Sequence, residues 1–104
     1  MPVHRVPLKP APQTEDLTRR LGEEWRNPGG DDPARPNIIE EEIAGGRLRV
    51  YVIWDEWGKM SVQERSRIIL DALEAAKGKA ECAKVSMAWG LTKAEAEKLG
   101  LPAA

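Results

Sequence analysis

RLRVYVIWDEWGKMSVQERSRIILDALEAAKG, residues Arg47 to Gly78, is the stretch that decides the fold. Leu48, Val50, Val52 and Trp54 alternate with Arg47, Arg49, Tyr51 and Ile53, the two-residue period of a strand with one firmly buried face. Asp55, Glu56, Trp57 and Gly58 break that period, and Ser61 followed by Glu64 makes a capping box that opens a helix. At about 100° per residue, Val62, Ile69, Ala72, Leu73 and Ala76 gather on one side of it. Gln63, Glu64, Arg67, Asp71 and Glu74 gather on the other, and Gly78 stops the helix.

Working outward toward the N-terminus, Asn37 to Ala44 reads as a strand, and Gly45-Gly46 offers a two-residue hairpin turn into the strand that follows. Counting from that turn pairs Ile43 with Leu48 and Ile39 with Val52 on the buried face. Glu42 then meets Arg49, Glu40 meets Tyr51 and Ile38 meets Ile53 on the other. Glu41 opposite Val50 is the misfit, pointing to a bulge or an edge position. Asn27 to Pro36 is a loop, and before it Thr14 caps a helix whose Leu17, Leu21 and Trp25 form an apolar stripe. Residues 1–13, MPVHRVPLKPAPQ, are proline-rich and read as an extended lead-in in which His4 is solvated.

Working outward the other way, Ala83 to Trp89 is a third strand with Val85, Met87 and Trp89 expected inward. Thr92 and Glu95 make a second capping box, and Leu99-Gly100-Leu101-Pro102 reads as a glycine-terminated helix end. The order is αββαβα, an α+β fold of two layers in a single domain, residues 14–104. A strand-helix-strand crossover makes the third strand parallel to the second, giving a mixed three-stranded sheet with helices on one face.

Composition excludes several function classes. Sixteen basic against seventeen acidic residues leave a net charge of −1, so there is no bulk attraction to nucleic acid or anionic lipid. The lone Cys82 neither forms an internal disulfide nor completes a metal site. No apolar run approaches the roughly 18 residues of a membrane span, and residues 1–13 lack a signal-peptide core, so a cytoplasmic location is expected. No metal cluster, phosphate loop or nucleophile-base pairing stands out, which makes the expected protein non-catalytic and free of cofactors. Asp55 and Glu56 are adjacent carboxylates that point apart, and Asp55 is expected to pair with Arg65 and lock the corner.

Two surfaces are candidates for binding. The first is the corner and the start of the central helix, where Asp55, Trp57, Arg65 and Arg67 would meet a protein partner; Trp25, Trp54 and Trp89 read as core, leaving Trp57 partly exposed. The second is the open sheet face, where Arg47, Arg49, Tyr51 and Lys84 could hold nucleic acid, with Glu40 and Glu42 sharing that face. No Gly-x-x-Gly spacing of the KH type is present.

Asp55-Glu56-Trp57-Gly58, Arg65-Ser66-Arg67, and Val85-Ser86-Met87 leading to Leu91-Thr92-Lys93-Ala94-Glu95 give residues 14–101 a resemblance to the BolA family. That resemblance implies an αββαβα fold similar to type II KH domains and a small interaction or regulatory role. Where the family typically follows its arginine with histidine, this chain has Ser66. Where the family histidine that shares an iron-sulfur cluster with a glutaredoxin would fall, it has Cys82 or Ala83. The implied role is therefore partner binding without cluster sharing.

Overall fold

A computed structural model describes residues 12–28 and 34–101. The proline-rich lead-in with His4 and the middle of the Asn27–Pro36 loop lie outside them. The elements are α1 (Pro12–Arg26), β1 (Asn37–Ile43), β2 (Arg47–Ile53), α2 (Val62–Lys77), α3 (Lys79–Ala83), β3 (Val85–Leu91) and α4 (Lys93–Lys98). The protein is α+β, with a three-stranded mixed sheet in the order β1-β2-β3, antiparallel between β1 and β2 and parallel between β2 and β3.

Leu17, Leu21 and Trp25 of α1 and Ile68, Ile69, Ala72 and Leu73 of α2 bury against Val50, Val52, Trp54 and Ala88. The two helices pack in ordinary van der Waals contact at Gly22, where a Cβ would stand 3.6 Å from the Ala72 carbonyl oxygen. Helix α1 begins at Pro12, two residues before the expected cap, because proline's fixed φ and missing N–H suit a first helical turn. Thr14 lies inside the helix, where its carbonyl accepts the Thr18 hydroxyl at 2.8 Å. Ser61 does cap α2, accepting the Glu64 amide, and Thr92 with Glu95 forms a complete capping box on α4. A short helix, α3, follows Gly78 directly and takes in Ala83, expected to open the third strand.

Two corrections concern register. Ile43 pairs with Arg47, not Leu48, so the hairpin loop is Ala44–Gly46 with Gly45 and Gly46 both at positive φ, one residue longer than a two-residue turn. The slip moves every β1 side chain to the opposite face. Ile38 now opposes Val52 and reaches the main core, while Glu41 opposes Arg49 and pairs with it at 3.3 Å. Glu40 and Glu42 move to the helical side of this edge strand, where Glu40 accepts the Trp25 indole N–H at 2.9 Å. The earlier misfit of Glu41 against Val50 disappears.

The second correction lies in β3. Leu48 pairs with Val85 but Arg49 pairs with Met87, so Ser86 is an extra residue and the alternation reverses there. The Ser86 hydroxyl donates to the Leu48 carbonyl at 3.2 Å. Beyond the bulge Ala88 and Gly90 face the helices, while Met87 and Trp89, expected inward, lie on the opposite face with Arg49 and Tyr51. Trp89 is 38% exposed.

Candidate functional site

The corner after β2 is a single turn of 3-10 helix, Asp55–Trp57, followed by Gly58 at positive φ. Trp57 is 1% exposed, correcting the expectation that it is partly free. Its indole N–H donates to the Val52 carbonyl at 3.0 Å, and its ring meets Trp54 edge to face at 5.4 Å. Trp54 in turn donates to the Ala34 carbonyl and lies under the Arg20 guanidinium, 5.1 Å from the ring centre.

Arg65 is also buried, at 5% exposure, and its partner is Glu95 rather than Asp55. Nη1 donates to Glu95 Oε1 at 2.6 Å and to the Gly90 carbonyl at 3.1 Å, Nη2 to the Gly58 carbonyl at 2.9 Å, and Nε to the Met60 carbonyl at 2.9 Å. The guanidinium fork thereby ties the corner, β3 and α4 together, with little donor capacity left for a ligand. Asp55 instead accepts the backbone N–H of Lys93 at 3.0 Å, placing a carboxylate at the start of α4. Arg67 stands in solvent on α2, 4.0 Å from Asp71. The four residues assigned to a corner surface are thus two buried structural groups and two separate exposed ones.

Hydrogen bonding also closes one edge of the sheet. Leu91 directs its carbonyl to the Trp54 amide, next to β2, so Gly90 and Ala88 direct theirs away from β2. Arg65 takes the first of these, and the Ser66 hydroxyl takes the second at 2.6 Å. Ser66, which stands where the resembled family has histidine, here has a structural task.

The surface that remains available is the sheet face away from α1 and α2. Row by row across the strands it carries Asn37, Ile53 and Leu91; then Ile39, Tyr51 and Trp89; then Glu41, Arg49 and Met87; then Ile43 and Arg47. Ala96 of α4 and Leu101 close over Ile53 and Leu91 in a second small core. Gly100 at positive φ lets the chain turn back there, with the Leu101 amide donating to the Ala96 carbonyl at 3.0 Å. The remaining rows mix apolar residues with Glu41, Arg49 and Arg47; in them Ile39 and Tyr51 pack partly against that second core, and Tyr51 and Trp89 meet edge to face, 6.3 Å between centroids at 73°. Arg47 and Arg49 lie on this face as expected, but Lys84 sits in the turn before β3 and pairs with Glu81 at 2.9 Å. Alternation carries no signal that places Trp89 here, because Ser86 fits the open face whether or not it is counted in the ladder.

Chemistry of other kinds has little support. No group of three His, Cys, Asp or Glu residues is placed to hold a metal among the described residues. Burial first, then the charges of Glu74 and Asp71, push the Cys82 thiol up, disfavouring the thiolate that metals and electrophiles require. A hollow of about 190 Å3 between α1 and Ala34–Pro36 is crossed by a Glu24–Arg35 ion pair at 3.1 Å and holds no nucleophile. Among the described residues no helix is long and apolar enough to cross a membrane.

Comparison with known proteins gives no match, whether to protein-family models, to curated sequences or to solved structures.

Proposed function

We propose that this chain is a small, non-catalytic, cytoplasmic protein-binding module of BolA-like kind, without a cofactor, and that its dock is the open sheet face rather than the corner. The observation that carries the reading is the Tyr51–Trp89 pair, two aromatic rings set among Ile39, Met87 and Ile43 on a face that no helix among the described residues covers beyond its first rows. Exposed aromatic side chains inside an apolar patch are the groups that dominate protein association energies. Sharing an iron-sulfur cluster with a glutaredoxin is not part of the proposal, because the position of the family ligand holds Cys82 or Ala83 in place of histidine, and burial pushes the Cys82 thiol up, away from the thiolate that binds metal.

Nucleic acid is the second reading, favoured by the same two rings beside Arg47 and Arg49, an arrangement on which bases stack. Charge argues against it: Arg49 is paired with Glu41 and Lys84 with Glu81, and the chain is net negative. Salt separates the two. A complex held by the apolar floor keeps its affinity as salt is raised, whereas phosphate contacts lose it steeply, with log K falling by about 0.7 per contact for each tenfold rise in salt on a single strand. Tight, salt-sensitive binding of a single-stranded oligonucleotide, abolished by Trp89→Ala, would replace the protein-binding reading with the nucleic-acid one.

A further inference from the structure

Resting on the sheet face as a protein dock, we infer the chemistry of its occupant: an amphipathic helix with an acidic side chain, laid along β2 with its apolar side on Tyr51, Trp89 and Met87 and its carboxylate on Arg47. The strands place three charged side chains on this face, Arg47, Arg49 and Glu41. Glu41 and Arg49 satisfy each other at 3.3 Å. Arg47 is exposed and makes no ion pair among the described residues, so among them this end of the floor carries an excess of positive charge. A complementary partner brings one carboxylate to that end. A nucleic acid would bring a row of phosphates to a face whose described residues offer Arg47 alone outside an ion pair, and a second copy of this chain would bring a further excess of positive charge.

Dimensions select a helix. Arg47 lies four residues along β2 from Tyr51, about 13 Å at strand rise, which a helix covers in about nine residues. Three strands about 4.8 Å apart give a floor about 10 Å across, the diameter of one helix with its side chains. At the opposite end Ala96 and Leu101 already occupy the sheet, so the helix is bounded there. Addition of an extended strand is disfavoured on both edges. Ser66 and Arg65 take the outward carbonyls of β3, and β1 carries Glu40, Glu41 and Glu42 in succession, which repel an acidic strand.

The test is selection of a displayed library of random 16-residue peptides on the immobilised full chain, with removal of those that also bind the Trp89→Ala protein. Both proteins are first shown to have the same melting midpoint. Recovered peptides are expected to have apolar residues at helical spacing and an excess of Asp and Glu. Synthetic copies should bind Arg47→Glu at least fivefold more weakly than the original chain and shift the amide signals of Tyr51, Met87 and Trp89. Peptides that shift those signals but are neutral or basic, and indifferent to Arg47→Glu, would overturn the acidic-helix inference while leaving the sheet-face module in place. Failure to enrich any peptide, or peptides that shift α2 around Arg67 instead, would overturn the sheet-face module together with the inference. Self-association of the chain through Trp89 would overturn the inference by making a second copy the occupant.

Discussion

Gly90 lies directly beneath Trp57: a Cβ built on it would stand 2.9 Å from the indole Cε2 and 2.8 Å from Arg65 Cβ. Both neighbours are locked, the indole by its bond to Val52 and the arginine by its carbonyl partners, so neither can yield. Gly90→Ala should therefore destabilise the fold by about 1–3 kcal/mol, as overpacking of a close-packed core does. Urea denaturation measures it. A change under about 0.5 kcal/mol would mean that Trp57 is not seated on β3.

The Arg65 fork gives a larger effect. Arg65→Ala leaves the Gly58, Met60 and Gly90 carbonyls without their donor and should cost about 3 kcal/mol or more. Arg65→Lys should recover only part of this, since an ammonium cannot reproduce a planar fork. Equal stability of the lysine and arginine forms in denaturant titrations would contradict the described geometry.

Much of this architecture is legible in the sequence, and the parts that are not have definite causes. The capping residues Ser61 and Thr92 mark their helices because a side-chain oxygen satisfying a backbone amide is a local interaction. The stripe of Leu17, Leu21 and Trp25 is equally local. Register is not local. Gly45-Gly46 satisfies either a two- or a three-residue loop, and only the pairing of Glu41 with Arg49 and the entry of Ile38 into the core decide between them. The bulge at Ser86 is similarly invisible, because a polar residue fits alternation whether or not it is counted in the ladder. Periodicity set Val62 on the apolar side of α2, yet it is 58% exposed and Ile68 is buried instead. Arg65 reads as a lock on the corner, but its partner is not legible, because its burial follows from four acceptors contributed by three separate parts of the chain, Glu95 among them and not Asp55.

Acid should act on the Glu95 junction. The Thr92 backbone amide first, and then Arg65, hold the Glu95 carboxyl below its ordinary value of 4.5. A carboxyl depressed in the folded state adds stability that is fully present above its unfolded pKa and is lost as pH falls through the folded one. Unfolding free energy should thus decline below pH about 4.5, and Glu95→Gln should flatten that part of the profile. Identical slopes for the two proteins between pH about 5 and 2 would show that Glu95 is not held this way.

Cys82 should be sluggish. With its thiol raised by burial and by Glu74 and Asp71, alkylation by iodoacetamide near neutral pH should be slower than for a free cysteine, and Glu74→Gln should accelerate it. Mixing the protein with a cluster-loaded glutaredoxin should leave the visible circular dichroism equal to the sum of the parts. A new visible band that Cys82→Ser removes would restore the cluster-sharing role.

A partner docked on the sheet face, and not on the corner, depends on Trp89 and not on Asp55 or Arg67. Retention of protein from native-cell extract by the immobilised chain is compared with retention by Trp89→Ala, Asp55→Ala and Arg67→Ala, all first matched in melting midpoint. Trp89→Ala should lose at least tenfold of the retained partner while Asp55→Ala and Arg67→Ala hold as much as the unaltered chain. Full retention by Trp89→Ala with loss on Asp55→Ala or Arg67→Ala would contradict it.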